Sequence, residues 1–339
     1  MFNSLSGVKL ARPSPVRPSR VRLSLSRLSL GMLGGLMLLT TAGCSQTPAA
    51  EAVSTASVTL PTWQAPERQQ HPLVGTLFQL DSNQPIAPKT LLRQLPAGTW
   101  LLLGEQHDHP DHHQLQLWVL QQLAAEQRLG AVAMEMLNTA QQPALDAQLK
   151  QGTLSTPQAL NWPEKAWPFA RYQGQVQLAL DQASRLVAAD LSDAEKTALR
   201  QNTDAVKEHS VAHTDYLAEL MVKSHCGMFT TERAKPTARM QIGRDQQMAK
   251  QMLANSQADK VNVLIAGAQH ARKDVGIPIW LGEQPVVSIL MVSVAESTDP
   301  KDYLPQAITA DTPASAIADL IWFVPALPAV DYCAQLMGK

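Results

Sequence analysis

The chain has 339 residues, a formal net charge of −1 and 45% hydrophobic residues, which is enough for one large domain or for a large domain with a small companion. A net charge near zero offers no broadly basic surface for a phosphate backbone, so the composition argues against a nucleic-acid partner. Of three cysteines, Cys226 and Cys333 can pair in an oxidising compartment, and the sequence leaves open whether they meet.

The first 43 residues have the features of a secretory signal peptide. Basic residues from Lys9 to Arg27 precede an apolar run, Leu28 to Leu39, that is too short for an ordinary membrane-spanning helix. The segment ends in Thr41-Ala42-Gly43-Cys44, which resembles the lipobox of bacterial lipoproteins. The resemblance implies acylation of Cys44 and, because Asp does not follow the cysteine, sorting to the outer membrane. A plain secretory signal with a chance cysteine is the alternative.

The rest of the chain alternates between strand and helix patterns. Residues 44–70, rich in Ala, Thr, Ser and Pro, are interpreted as a flexible tether. Residues 71–192 and 258–339 predict an α/β domain: a three-layer, mainly parallel sheet with helices on both faces. Its expected core strands lie at 100–103, 131–135, 185–189, 261–266 and 286–294. Residues 193–257 contain no convincing strand and are interpreted as a smaller, inserted helical cap.

Two of the expected strands end in the same pattern, Gly-x-x-His. Gly104-Glu105-Gln106-His107 follows one strand and Gly267-Ala268-Gln269-His270 another, while Glu135 ends a third. Open α/β sheets build sites at the carboxyl ends of their strands, so we expect Glu105, His107, Glu135 and His270 to meet at one edge. That set suits a divalent metal that activates a water, or a carboxylate–histidine acid/base pair. The alternative is a hydrogen-bonded polar network that fixes the loops.

Several motifs follow one another over about residues 98 to 280. They are Gly104-Glu105-Gln106-His107-Asp108 with Pro110 and His112-His113, then Glu135-Met136, His225-Cys226-Gly227, and Ala266-Gly267-x-x-His270-x-Arg272 with Gly276-Ile277-Pro278. Together they resemble the ChaN family, haem-binding bacterial lipoproteins linked to iron uptake. That family is similar to the Tiki/TraB group, whose paired Gly-x-x-His motifs and a glutamate are associated with metal-dependent peptidase activity.

One departure concerns the segment after the third core strand. The family tends to show Asn-Pro-Arg there, whereas this chain has Asp190-Leu191-Ser192-Asp193. The change removes an arginine that could have met a haem carboxylate.

The resemblance implies a haem site around the segment Trp167-Pro168-Phe169-Ala170-Arg171-Tyr172. A phenolate is a known axial ligand of ferric haem, so Tyr172 is the predicted iron ligand. The rings of Trp167 and Phe169 are expected to cover the porphyrin, Arg171 and Arg272 to meet the propionates, and His225 to lie on the distal side. The alternative is that Trp167 and Tyr172 only pack this segment onto the core.

The sequence therefore predicts an outer-membrane lipoprotein that binds ferric haem in iron acquisition. An outer-membrane haem receptor is a possible partner, and haem-dependent homodimerisation would cover the exposed face of the ligand. The second candidate is a metal-dependent hydrolase of peptides, with Glu105, His107, Glu135 and His270 as ligands and base.

Overall fold

A computed structural model of the chain describes residues 59–309 and 311–336. The predicted signal peptide, Cys44 and residues 44–58 of the predicted tether lie outside these ranges. Residues 59–70 pack on the folded domain, since Ala65 is buried and the backbone N–H groups of Gln64 and Ala65 donate to the Asp111 carboxylate at 2.7 and 3.0 Å. The prediction of a flexible tether is therefore wrong for residues 59–70.

The centre of the fold is one sheet. Its strands are β1 (Leu77–Gln79), β2 (Gln84–Ile86), β3 (Trp100–Glu105), β4 (Leu129–Asn138), β5 (Arg185–Asp190), β6 (Val261–Gly267), β7 (Val286–Ser293) and β8 (Leu320–Val324). They lie in the order β2-β1-β8-β7-β3-β6-β4-β5. The strands from β8 to β5 are parallel, and β1 and β2 add an antiparallel edge. The sequence predicts the five strands β3 to β7 and misses β8, which lies in the tail where no pattern was identified.

Helices cover both faces of this sheet. They are α1 (Pro88–Gln94), α2 (Pro110–Ala125), α3 (Gln142–Gln148), α4 (Phe169–Gln182), α5 (Asp193–Gln201), α6 (Val211–Ser224), α7 (Thr231–Asn255), α8 (Ala268–Ala271), α9 (Ala314–Ile317) and α10 (Tyr332–Leu336). Successive side chains of a strand point to opposite faces. Accordingly, Leu101 and Leu103 of β3 share a core cluster with α2 and α4, whereas Trp100 and Leu102 share one with α7. The predicted three-layer α/β fold is confirmed.

The cap is less separate than the sequence suggests. Helices α5 and α6 and the first half of α7 surround a cluster of their own, which includes Leu217, Ala238 and Ile242. Helix α7 then continues as one 25-residue helix, with Pro236 inside it, and its second half packs Met248 and Met252 against the sheet. Helix α7 ends at Asn255, close to the predicted cap boundary at residue 257, but it belongs to both the cap and the sheet layer.

A covalent link joins the cap to the C-terminal segment. Cys226, in the turn between α6 and α7, forms a disulfide with Cys333 in α10. The neighbouring Tyr332 hydroxyl donates to the Asp108 carboxylate at 3.0 Å. The pairing that the sequence left open is thus made, and the segment also contacts the loop after β3. None of the helices in the described ranges is both long and apolar enough to cross a membrane.

Candidate functional site

The two Gly-x-x-His motifs lie side by side at one edge of the sheet. Strands β3 and β6 are parallel neighbours, with Glu105 opposite Gly267. A cavity of about 480 Å³, called here the strand-end cavity, covers this edge and is lined by both motif histidines and by Glu105 and Glu135. The expectation that these four residues meet is confirmed. Helices α6 and α7 of the cap line the other side of the cavity.

Glu105 and His107 form the first half of the site. Nδ1 of His107 donates to Oε1 of Glu105 at 2.8 Å, and this oxygen also accepts from the Tyr172 hydroxyl at 2.6 Å. The other oxygen accepts from the Gln116 amide at 2.6 Å. Burial lowers the pKa of His107, but the hydrogen bond to Glu105 and the negative charges of Glu135 and Glu105 outweigh burial and raise it. The carboxylate therefore fixes the imidazole and leaves Nε2 beside Gly267, on the cavity wall.

His270 forms the second half, in a different environment. Its Nδ1 bonds to the Asp245 carboxylate, and its Nε2 lies 3.3 Å from Oε1 of Glu135. Burial lowers the pKa of His270, yet the negative charges of Glu135 and Asp245 raise it to about 10. His270 is therefore a buried imidazolium at neutral pH, with a carboxylate near each ring nitrogen.

Arg244 of α7 completes this charged network. Its guanidinium donates to Oε1 of Glu135 at 2.7 Å and to Oδ1 of Asp190 at 3.0 Å. The second Glu135 oxygen accepts from the Gly267 backbone N–H at 2.7 Å. Burial raises the pKa of Glu135, but the positive charges of His270 and Arg244 lower it well below its usual range. The polar network that the sequence offered as the alternative thus describes the half of the site around His270.

The predicted divalent metal does not fit this arrangement. Both carboxylate oxygens of Glu105 and both of Glu135 already accept hydrogen bonds from protein donors. Within the described ranges, no group of three or more His, Cys, Asp or Glu side chains is arranged to hold a metal ion. The four residues meet as predicted, but as two hydrogen-bonded histidines rather than as a ligand set.

The predicted haem-binding aromatics divide between the cavity wall and the core. Trp167 lines the strand-end cavity, with its ring centre 4.7 Å from that of His107 in an edge-on arrangement. Phe169 and Tyr172 lie beneath it, and the Tyr172 side chain is 0% exposed. Burial and the negative charge of Glu105 raise the pKa of the Tyr172 phenol, which opposes the phenolate. In this structure the Tyr172 oxygen donates to Glu105 rather than facing the cavity.

The remaining predicted residues do not line the cavity. Arg272 is wholly buried and donates to Asp274 at 2.9 and 2.6 Å and to the Tyr216 hydroxyl at 2.6 Å, so it is not available to a propionate. His225 ends α6 and is exposed, with Nδ1 2.8 Å from its own helix at the Met221 carbonyl. Arg171 is exposed and donates to the His107 carbonyl at 3.3 Å. The expected distal role of His225 and propionate role of Arg272 are therefore corrected.

Two important residues, Arg244 and Asp245, were missed by sequence reasoning. The sequence of α7 does indicate that Asp245 is buried, because Asp245 lies three residues after buried Ile242 and three before buried Met248. A carboxylate on the apolar stripe of an amphipathic helix indicates a buried partner.

A second cavity, of about 500 Å³, adjoins the first. The two share Trp167, Gln241 and Arg244, and the second is lined by Lys196 and Arg200 of α5. It is called here the basic cavity.

Comparisons with known proteins find a matching family and similar folds. The model of a family described as "Haem-binding uptake, Tiki superfamily, ChaN" matches residues 91–281. ChaN of Campylobacter jejuni, described as binding haem cofacially, is similar with a TM-score of 0.60 and 22% identity over 73% of this chain and 95% of that chain. A variant of the erythromycin esterase EreC in its open conformation is similar with a TM-score of 0.42 and 14% identity, over 80% and 100%. No curated protein sequence matches the chain.

Proposed function

Because the chain belongs to the ChaN family of haem-binding uptake proteins in the Tiki superfamily, we propose that it binds haem in the strand-end cavity. The observation that carries the proposal is the combination of an apolar wall with an available imidazole. The imidazole belongs to His107, and the apolar wall is formed by Trp167, Leu217, Leu220, Met221 and Val275. The volume of about 480 Å³ is within the range of small-molecule sites.

His107 is the residue best placed to meet the iron. Its Nδ1 is held by Glu105 at 2.8 Å, and its Nε2 forms no hydrogen bond within the described part of the chain. Metal-binding histidines commonly donate their other ring N–H to a carboxylate, which fixes the tautomer and the ring orientation. Glu105 plays that part here, and Tyr172 supports Glu105 from below. Haem bound in this way would supply the iron chemistry, and the chain supplies orientation and an apolar enclosure.

Axial ligation of ferric iron by Tyr172 stays a prediction. It requires the Tyr172 hydroxyl to leave Glu105, 2.6 Å away, and to lose its proton although burial and the charge of Glu105 raise its pKa. A single comparison separates the two candidate ligands, because Tyr172→Phe keeps the ring and removes only the oxygen.

The test is a haem titration followed in the Soret band. We expect saturable binding by the wild type, an altered spectrum and at least about tenfold weaker binding for His107→Ala, and an unchanged spectrum for Tyr172→Phe. His225→Ala, outside the cavity, is the matched histidine control and should behave as the wild type. A changed spectrum for Tyr172→Phe together with a normal one for His107→Ala would make Tyr172 the ligand. If the wild type shows no saturable binding, the haem proposal fails.

We also propose that the protein acts in haem acquisition as an outer-membrane lipoprotein anchored through Cys44. The lipobox-like segment supports this location, as does the Cys226–Cys333 disulfide, since such bonds persist in oxidising compartments. Several acyl chains make such an anchor stable. Cys44→Ser should therefore move the protein from the membrane to the soluble fraction; retention in the membrane would contradict the anchor. A haem receptor and a haem-dependent homodimer stay predictions.

A further inference from the structure

The basic cavity adjoins the strand-end cavity and has the opposite chemical character. Trp167, Gln241 and Arg244 line both cavities. Beyond these shared residues, α5 contributes Lys196 and Arg200 to the basic cavity. Among the described residues that line it, Asp190 alone carries a carboxylate. A ligand that fills both cavities would therefore pass from an apolar region at the strand ends to a cationic one beside α5.

The positive charge of this cavity is not cancelled by its surroundings. Asp190 is shared between Arg244, at 3.0 Å, and Lys196, at 2.8 Å, and Arg244 also pairs with Glu135, at 2.7 Å. These two carboxylates therefore face Arg244 and Lys196 and not Arg200. Arg200 forms no ion pair with any residue in the described ranges, and it is exposed at the cavity.

Neighbouring acids are engaged elsewhere. Asp204 lies 3.2 Å from Arg239, which also pairs with Glu208 at 2.6 Å. Glu195 accepts from the Thr139 hydroxyl at 2.7 Å and caps the start of α5 with Ser192. The lining consequently carries an excess of positive charge at Arg200.

The two α5 cations are spaced to act together. Lys196 and Arg200 are four residues apart in one helix, so they lie on the same face one turn from each other. A guanidinium binds a carboxylate through two parallel hydrogen bonds, and an ammonium adds a compact charge. A pair of this kind suits a ligand with two carboxylates on one edge.

We propose that the basic cavity binds the propionate carboxylates of haem, with Arg200 as the principal contact and Lys196 beside it. The inference rests on the proposed haem function and specifies the ligand further: a planar tetrapyrrole with its carboxylates on one edge. Haem has this layout, an apolar macrocycle with two propionates side by side. The macrocycle then occupies the strand-end cavity, and the α5 cations determine which way round it enters. These residues take the role that the sequence assigned to Arg171 and Arg272.

The experiment compares haem with haem dimethyl ester, which keeps the iron and the macrocycle but has no carboxylates. Both are titrated under the same detergent conditions against the wild type and Arg200→Gln. We expect the wild type to bind haem at least about tenfold more tightly than the ester, because charge-assisted hydrogen bonds are lost with the ester. Arg200→Gln should weaken haem binding about tenfold and leave ester binding unchanged. Metal-free protoporphyrin should show the same loss, since the contact does not involve iron.

Arg233→Gln is the matched control, because Arg233 is an exposed arginine of α7 that lines neither cavity. It should leave the affinity for haem and for the ester unchanged. Equal affinity of the wild type for haem and its ester would overturn the propionate site while leaving haem binding intact. An equal loss in Arg233→Gln and Arg200→Gln would overturn it too, as a general charge effect. No saturable binding of either compound would overturn both the site and the proposed function.

Discussion

The two Gly-x-x-His motifs have the same pattern and opposite roles. The His107 side chain is 38% exposed and has one carboxylate partner, whereas the His270 side chain is 11% exposed and lies between Asp245 and Glu135. The difference comes from α7, which contributes Asp245 and Arg244 to the second motif and no such partner to the first. The motif thus places a histidine just after the carboxyl end of its strand. The helix packed over it determines whether the imidazole faces a ligand or is held as a buried cation.

The largest expected effect comes from removing the buried cation. His270→Ala leaves Asp245 and Glu135 close together without the imidazolium between them, and breaking a buried ion pair costs roughly 3–5 kcal/mol of unfolding free energy. His107→Ala removes a partly exposed ring and should cost about 1 kcal/mol or less. Urea unfolding at pH 7 measures both. Equal losses would show that the two motifs do not differ in the way described.

We expect His270 to contribute more than His107 to the pH dependence of stability, although the pKa of both is raised. The His270 pKa of about 10 in the folded protein lies above the value of about 6.5 for an unfolded chain. Protonated His270, facing Glu135, Asp245, Arg244 and His107, therefore stabilises the fold fully below about pH 6.5, and this contribution is lost as the pH rises through 10.

The measurement is the difference in unfolding free energy between the wild type and His270→Gln across this pH range. The difference should shrink by an amount on the order of 4 kcal/mol between pH 6.5 and 10. A difference that stays constant would mean that His270 is neutral in the folded protein.

The smallest expected effects separate the two motif glycines. A Cβ on Gly104 would lie 2.9 Å from Cβ of Ala271 and 3.1 Å from Cα of Ala268, so Gly104→Ala should cost about 1–3 kcal/mol through overpacking. A Cβ on Gly267 would meet the His107 ring at 2.9 Å, and this partly exposed ring can move. Gly267→Ala should then cost less than about 1 kcal/mol and weaken haem binding. Thermal unfolding measures the stability of both variants, and haem titration measures their affinity for haem. A Gly104→Ala variant that is more stable than Gly267→Ala would contradict the prediction.

The sheet and the meeting of the strand ends could be predicted because they depend on local patterns. The apolar runs of β3 to β7 are continuous, and parallel strands bring Glu105, His107, Glu135 and His270 to the same edge. The partners of these residues could not be predicted in the same way. Glu135 of β4, for example, pairs with Arg244, which lies more than 100 residues later in the chain, in α7.

The orientation of Tyr172 was beyond sequence reasoning for a related reason. Its position after Trp167 suggested a ring beside a ligand, but the direction of its hydroxyl depends on buried Glu105, 67 residues earlier in the chain. A buried carboxylate needs hydrogen-bond donors, so a nearby phenol can donate to it instead of facing a ligand. The pattern of aromatic residues pointed to Trp167, which lines the strand-end cavity, but it did not indicate that Tyr172 is buried beneath the cavity wall.

The continuity of α7 has a mechanical consequence. A proline lacks the N–H that would continue the helical ladder, so Pro236 is the weakest point against bending in this helix. It lies in the cap half of α7, eight residues before Arg244. A bend there would swing the outer end of the cap while Arg244 and Asp245 stayed clamped to the sheet edge. Such a bend would widen the mouth of the cavities and leave in place the charges that hold His270.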